Sequence, residues 1–295
     1  MNSRPVLAGV LGALVIAFSS ILVRLSEVSP STAAVFRCLW ALPVLGVLAW
    51  SERRRYGPRS RRDRFVALGA GVMFAADLTF WHHSIAAVGA GLATVLGNIQ
   101  VVLVGLIAWA ALGERPDARS LAAIPVVFLG VILISGVIGA GAYGDDPVLG
   151  VAYGVLTAIT YALFILILRQ GNSDVRRPAG PLFDATLTGF VFSAIGGGAV
   201  GDLDWAPGVE SQAWLVTLAL TSQVLGWMLI SVSLPRLPAV VTSILLMVQP
   251  VGSVILGVVL LSEAPTAVQL TGVAVVLAGV AFATLKPRTP ELEPA

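Results

Sequence analysis

Charge is what this sequence has least of. Asp, Glu, Lys and Arg make up 12 % of 295 residues, about half of what the surface of a soluble domain normally needs. Long hydrophilic connections are missing too, which leaves no room for a separate soluble catalytic or sensory domain. The one cysteine, Cys38, rules out an intrachain disulfide and any cysteine-cluster metal site, and it reads as a small apolar helix residue. The two histidines, His82 and His83, are adjacent, so their side chains diverge around a helix, and no H-E-x-x-H or comparable ligand spacing occurs. No metal or other cofactor is expected. What is abundant is apolar: 57 % of residues, with a mean hydropathy of +0.92. That much apolar surface needs lipid as its solvent.

A helix across the hydrocarbon core takes roughly 20 mostly apolar residues. Ten stretches of that kind run near 5–23, 31–51, 65–86, 90–112, 119–138, 148–168, 182–201, 211–232, 238–261 and 266–285. They are too long and too continuous for the alternating strands, about 10 residues each, of a membrane barrel. The first is read as a span rather than a cleaved leader, because no small-residue cleavage site follows it. Gly150 and Gly154 form a G-x-x-x-G pair suited to close helix contact, either within the bundle or in a dimer.

The distribution of Lys and Arg sets the orientation. With the N-terminus in the cytoplasm, ten spans return the C-terminus there, and sixteen of the eighteen basic residues fall inside. Seven of them crowd between Arg53 and Arg64; Arg24 falls outside and Arg37 within a span. The outer loops carry Glu27, Asp145, Asp146, Asp202, Asp204, Glu210 and Glu263. This positive-inside partition predicts a multi-pass protein of the plasma (inner) membrane with both termini cytoplasmic. The net charge of +2 is therefore topology information and argues for no nucleic-acid partner.

An internal repeat appears when the chain is slid by 149 residues. Gly113-Glu-Arg-Pro116 lands on Ser262-Glu-Ala-Pro265, and Leu96, Gln100, Gly130 and Val131 meet identical residues at 245, 249, 279 and 280. Twelve identities fall within the 43 positions from Ala93 to Ser135, more than shared hydrophobicity would give. Five spans per copy, an odd number, insert the second copy upside down. The expected fold is an all-α membrane protein with ten transmembrane helices in two inverted five-helix repeats, residues 1–143 and 144–295. Many secondary transporters use such repeats to alternate access to a site near the midplane.

Ionisable groups at membrane depth cost about 2.5–3.5 kcal/mol each on insertion scales, so they face a cavity or a partner. Asp77 lies about twelve residues into the third span and shares a helix face with Trp81 and Ser84 at 100° per residue. It reads either as a structural ion pair with Arg37 or as a transport and coupling group, and the two roles are compatible. His82 and His83 point elsewhere and read as an outer-leaflet interfacial pair beside Trp81. Gln100 and Gln249, equated by the repeat near mid-membrane, offer donors and acceptors to a substrate or glue between helices. Asn98 lies about 200° round the helix from Gln100, so both can face one cavity only if the helix is irregular there. Tyr153, Thr157, Thr160, Tyr161 and Phe164 form a stripe on the sixth span, either packing or cavity wall. On the eighth span, Gln223 and Trp227 repeat the spacing of Asp77 and Trp81. The candidate binding set is thus Asp77, Trp81, Asn98, Gln100, Thr157, Tyr161, Gln223, Trp227 and Gln249, with Arg37 as the ion-pair partner.

The run Gly89-Ala-Gly-Leu-Ala-Thr-Val-Leu-Gly-Asn-Ile-Gln100, then Gly113-Glu-Arg-Pro116 and Gly130, resembles the EamA family of the drug/metabolite transporter superfamily. So do Gln249-Pro-Val-Gly252, Ser262-Glu-Ala-Pro265 and Gly279 of the second copy, and Arg37 early in the second span. The resemblance covers residues 5 to 285. It implies ten helices in two inverted halves, cytoplasmic termini, a central cavity, and export of metabolites or drugs. Two features depart from the pattern: Val101 stands where the second copy keeps Pro250, and Phe18-Ser19-Ser20 replaces a tryptophan-glycine pair of the first span.

The function expected is a secondary transporter exporting a small amino-acid-like metabolite or drug, with membrane lipids around it and protons as a candidate coupling partner. A gradient-driven facilitator or channel is the alternative, although no ring of like charges or filter loop is visible. An enzyme would need a nucleophile–base pair or paired carboxylates at depth, and only Asp77 is offered. Reporter fusions after Arg64, Pro147, Pro178 and Gly208 are expected to read in, out, in, out. One inversion in that series would break the topology.

Overall fold

A computed structural model describes residues 3–100, 102–103, 106–107, 110, 118–135, 138, 142–171, 174, 176–233 and 239–284. Among them every regular element is helical and no strand occurs. The elements are α1 (Ser3–Ala17), α2 (Ser19–Leu25), α3 (Pro30–Tyr56), α4 (Arg61–Val88), α5 (Ala90–Gly97), α6 (Ala118–Ile134), α7 (Pro147–Gly171), α8 (Ala179–Val200) and α9 (Val209–Leu218). A π-helical segment (Ala219–Gly226) leads into α10 (Trp227–Ser233), followed by α11 (Ala239–Leu261) and α12 (Ala267–Thr284). Among the described residues, six stretches are long and apolar enough to cross a membrane: Leu7–Leu25, Pro30–Tyr56, Arg61–Val88, Pro147–Leu168, Ala179–Val200 and Val209–Ser233. Shorter apolar helices lie at Leu121–Ile134, Val248–Leu261 and Ala267–Phe282.

The ends of the long helices follow local chemistry. Ser29 caps α3 by accepting from the Thr32 N–H at 3.2 Å, with Pro30 at the first helical position, where its missing N–H is harmless. Ser60 caps α4 through the Asp63 N–H at 3.0 Å. Gly57 and Gly89 end these helices at φ of 81° and 90°, a conformation in which a side chain would be strained.

Polarity is inverted relative to a soluble protein. Val47, Phe65, Phe128, Ile195 and Val259 face outward, while Ser19, Thr32, Arg37, Asp77 and Gln223 are buried. In hydrocarbon this is the stable arrangement, because lipid tails solvate the apolar exterior and polar groups satisfy one another inside. α4 packs along α7 and α8, α3 along α8, α6 along α12 and α5 along α11, and α1 lies against α10 and α11. The Gly150/Gly154 pair serves internal packing: a methyl at Gly150 would meet Val88, and one at Gly154 would meet Leu96.

The ends of the bundle are tied by carboxylates that cap distant helices. At one end the Glu263 side chain, only 3 % exposed, accepts from the N–H groups of Ala90 and Gly91 at 2.5 and 3.1 Å. It thereby answers the unpaired donors and positive dipole end of α5. At the arginine-rich end, Glu52 accepts in the same way from Ala179 and Gly180, at 2.9 and 2.8 Å, and holds the start of α8. Asp184 is buried and paired with Arg59 at 2.7 Å.

Glu263→Ala is expected to lower the thermal midpoint of the purified protein clearly, since two buried donors lose their acceptor at about 1–3 kcal/mol. Glu263→Gln should fall between alanine and wild type. An unchanged midpoint for the alanine variant would show that the cap does not hold this end.

Candidate functional site

Three of the expected spans are interrupted, and the interruptions meet. The first span breaks at Phe18, between α1 and α2. The carbonyls near this break find cross-helix donors: Ser253 Oγ donates to Ala17 O at 2.9 Å, and Ser222 Oγ to Val15 O at 3.4 Å. The fourth span is interrupted at Asn98 and Ile99, a turn between α5 and the helical residue Gln100. The Asn98 N–H is shared between the carbonyls of Thr94 and Val95, and its Nδ2 donates back to Thr94 O at 2.9 Å. In the eighth span the π-helical segment widens the turn before Trp227. Such irregular backbone is stable at membrane depth where it is buried in protein or borders a cavity.

A cavity of that kind is present, with a void of about 550 Å³ including its open mouth. Ile16 and Ser19 reach it from the first break, and Thr94, Gly97 and Asn98 from the second. Trp227 borders it just beyond the π-helical segment, and Gln249 just before Pro250 of α11. α4 contributes Phe74, Asp77, Leu78 and Trp81 as one stripe, α7 contributes Thr157 and Tyr161, and α3 contributes Arg37.

Arg37 is 4 % exposed and held at two points. Its Nε donates to Gln223 Oε1 at 3.0 Å, and one terminal nitrogen donates to Ser19 Oγ at 3.0 Å. Gln223 is itself oriented by donating from Nε2 to Thr186 Oγ1 at 3.2 Å. The guanidinium lies 5.6 Å from the centre of the Trp81 ring, within cation–π range. Asp77, 7 % exposed, lies within electrostatic reach of Arg37. The direct ion pair expected between them is absent: among the described residues neither forms a salt bridge. The hydrogen bonds of Arg37 go instead to neutral groups supplied by the break in the first span and by the π-helical segment. Both charges therefore border the void as separate features.

The aromatic wall is continuous. Phe74 stacks on Phe164 with centroids 4.9 Å apart, and Trp227 meets Phe164 and Tyr161 edge-on at 5.7 and 6.1 Å. The stripe of the sixth span divides accordingly. Thr157 and Tyr161 line the cavity and Phe164 packs behind them. Thr160 bonds back to Leu156 O, and Tyr153 faces Phe80 and His83.

Of the residues singled out from sequence, Arg37, Asp77, Trp81, Asn98, Thr157, Tyr161, Trp227 and Gln249 converge on this one void. Gln223 stands behind it, buried, as the partner of Arg37. Gln100 is buried as well but is not among the lining side chains, so the helix break that turns Asn98 inward leaves Gln100 out. Of the expected interfacial histidine pair, His82 is 1 % exposed and lies inside the bundle, while His83 is half-buried with Nδ1 2.8 Å from Thr79 O. Ser19, Thr94, Phe74 and Leu78 were not anticipated. Phe74 and Leu78 lie three residues before and one after Asp77, so the face shared by Asp77 and Trp81 could have indicated Phe74. The serine pair in an otherwise apolar first span was the signal for Ser19.

The buried Cys38 gives a silent background for thiol labelling. Thr94→Cys and Gln249→Cys, both half-buried on the lining, should react with a small hydrophilic thiol reagent, whereas wild type and Gln100→Cys should not. Equal labelling of the variants at 94 and 100 would refute the lining described.

Comparison with known proteins agrees with this architecture. The chain is 26 % identical over 262 residues to the uncharacterized transporter YxxF of Bacillus subtilis (strain 168), covering 87 % of this chain and 82 % of that protein. It is 27 % identical over 205 residues to the uncharacterized transporter YetK of the same organism, covering 68 % of this chain and 62 % of YetK, less than two thirds of that protein's length. A solved crystal structure superposes with a TM-score of 0.62 at 17 % identity, covering 96 % of this chain and 97 % of the other, a likeness of fold. The model of the EamA-like transporter family matches residues 3–136 and again 148–285. A multi-pass helical bundle with a polar, aromatic-walled void and two successive matches to that family leads to one conclusion: the chain belongs to the EamA-like transporter family and is an integral membrane transporter.

Proposed function

We propose that this transporter exports a small amino-acid-like metabolite or drug by alternating access around the Arg37–Asp77 cavity. The observation that carries the reading is that a guanidinium and a carboxylate border one void without being paired to each other. A ligand bearing both an anionic and a cationic group would complement the two, and its apolar part would lie against Trp81, Tyr161 and Trp227. The amides of Asn98 and Gln249 offer further donors and acceptors.

Residues 1–143 and 144–295 act in this reading as two inverted halves. The pairings α3 with α8, α5 with α11 and α6 with α12 support it, since each joins an element to its counterpart five spans later. The arginine partition supports cytoplasmic termini in the plasma (inner) membrane. Rocking of one half against the other would change the hydration of Asp77 and its distance from Arg37 together. A proton bound in one state and released in the other then couples its gradient to transport.

The substrate is to be found by a metabolite and toxicity screen of cells overexpressing the chain, against an Asp77→Ala control. Proteoliposomes with an imposed pH gradient then test the mechanism. Wild-type flux should follow the gradient, and Asp77→Asn should lose at least tenfold of the gradient-driven component while keeping counterflow. Wild-type flux indifferent to the gradient, or full gradient-driven flux in the Asn variant, would remove Asp77 from coupling.

A further inference from the structure

The arginine-rich end of the bundle holds a second built cavity. It lies between the end of α3, the start of α8 and the loop at 57–60, and measures about 770 Å³ including its open mouth. Arg53, Arg59, Arg64 and Arg177 stand around it. Its inner part is apolar, made by Gly46, Trp50 and Phe183. Gly46 precedes Arg53 by seven residues on the same helix, so the apolar part reaches about 10 Å deeper at 1.5 Å per residue.

The charges in this wall do not cancel. Its two carboxylates are already engaged: Asp184 takes a 2.7 Å hydrogen bond from Arg59, and Glu52 caps the start of α8. Arg177 bonds to the Gly57 carbonyl at 3.0 Å and to Asp174, whose carboxyl is held well below the usual carboxylate range by its hydrogen bonds from Arg176. Arg64 lies 3.9 Å from Asp184 without displacing Arg59, and Arg53 forms no salt bridge among the described residues. Four arginines against Glu52 and Asp184 leave the wall at 4 − 2 = +2. Arg53 and Arg64 are both exposed and can turn toward an incoming anion, Arg64 by giving up its long 3.9 Å contact with Asp184.

We propose that this cavity binds the headgroup of an anionic phospholipid, its phosphate between Arg53, Arg64 and Arg177 and one acyl chain along Gly46 and Phe183. A basic rim beside apolar lining offers a complementary surface to each of the two parts of such a lipid. A soluble phosphate would use the rim alone and leave the apolar lining unoccupied. Trp50 and Val47 are exposed on the same stretch of α3, as expected of a surface that meets lipid. The bound headgroup joins the α3–α4 loop to α8, the two elements that Arg59 and Asp184 already tie. This inference rests on the protein being embedded in a membrane and not on the transport reading.

The test uses the purified full chain in a neutral detergent, supplied with phosphatidylglycerol, with phosphatidylcholine or with inorganic phosphate. Native mass spectrometry reads retained lipid, and thermal unfolding reads stabilisation. Wild type should retain phosphatidylglycerol over phosphatidylcholine and melt higher with it, and inorganic phosphate should not reproduce the effect. The double variant Arg53→Gln/Arg64→Gln should retain it roughly 30-fold more weakly, at about fivefold per basic side chain near an anionic surface. Arg61→Gln/Arg62→Gln, with the same charge change on exposed residues outside the cavity, should behave as wild type. Equal retention of the two lipids, or equal loss in both double variants, would overturn the site. Full stabilisation by inorganic phosphate would overturn its assignment to a lipid.

Discussion

A chain in hydrocarbon must pair every backbone N–H and C=O within itself, and this constraint organises the whole molecule. Most of the chain meets it with uninterrupted helix. Where it does not, the departures lie together: the break at Phe18, the end of α5 at Gly97 and the widened turns of Ala219–Gly226 all border or back the same cavity. Each is repaired locally, by Ser253 on Ala17, by Ser222 on Val15 and by Asn98 on Thr94. Irregular backbone is thus confined to places where side chains or a polar void can answer it, and the void is framed by the irregularities themselves.

Arg37 links this backbone arrangement to chemistry. A guanidinium at this depth needs acceptors on several sides, and a carboxylate alone would leave some of its donors unanswered. The break in the first span supplies Ser19, the π-helical segment supplies Gln223, and Trp81 supplies a ring face. With these neutral partners in place the positive charge persists beside the void and is not neutralised by Asp77. Asp77 then stands on its own stripe of α4 with Phe74 and Trp81. The departure of Phe18-Ser19-Ser20 from the family pattern falls at the very point where the chain supplies an acceptor to Arg37.

The two ends of the bundle use a common device for another purpose. Glu263 and Glu52 each place a carboxylate on the first two N–H groups of a helix far away in sequence, Ala90-Gly91 in one case and Ala179-Gly180 in the other. At the first cap a methyl on Gly89 or Gly91 would press on the Glu263 carboxylate, whereas at the second a methyl on Gly180 would meet Arg59. Because a helix N-terminus carries partial positive charge, the contact is electrostatically favourable and directional. At the basic end, the Arg59–Asp184 pair is surrounded by arginines whose charge exceeds what Glu52 and Asp184 neutralise.

What the sequence determined by itself were features written in composition and spacing. Helical stretches of about span length, their approximate ends and the family pattern around Gly89–Gln100 and Ser262–Pro265 all follow from local residue order, because lipid solvation acts on each stretch separately. Asp77, Trp81, Thr157, Tyr161 and Trp227 were legible as site candidates for the same reason: polar and amphipathic groups in apolar helices must face something other than lipid. The tertiary structure alone decided the partners. Arg37 pairs with Gln223, 186 residues away, and not with Asp77. Asn98 turns inward where Gln100 does not, His82 is buried between helices, and Glu263 becomes a helix cap. Each of these depends on which distant helix lies alongside and on where a helix breaks, and periodicity within one span carries neither.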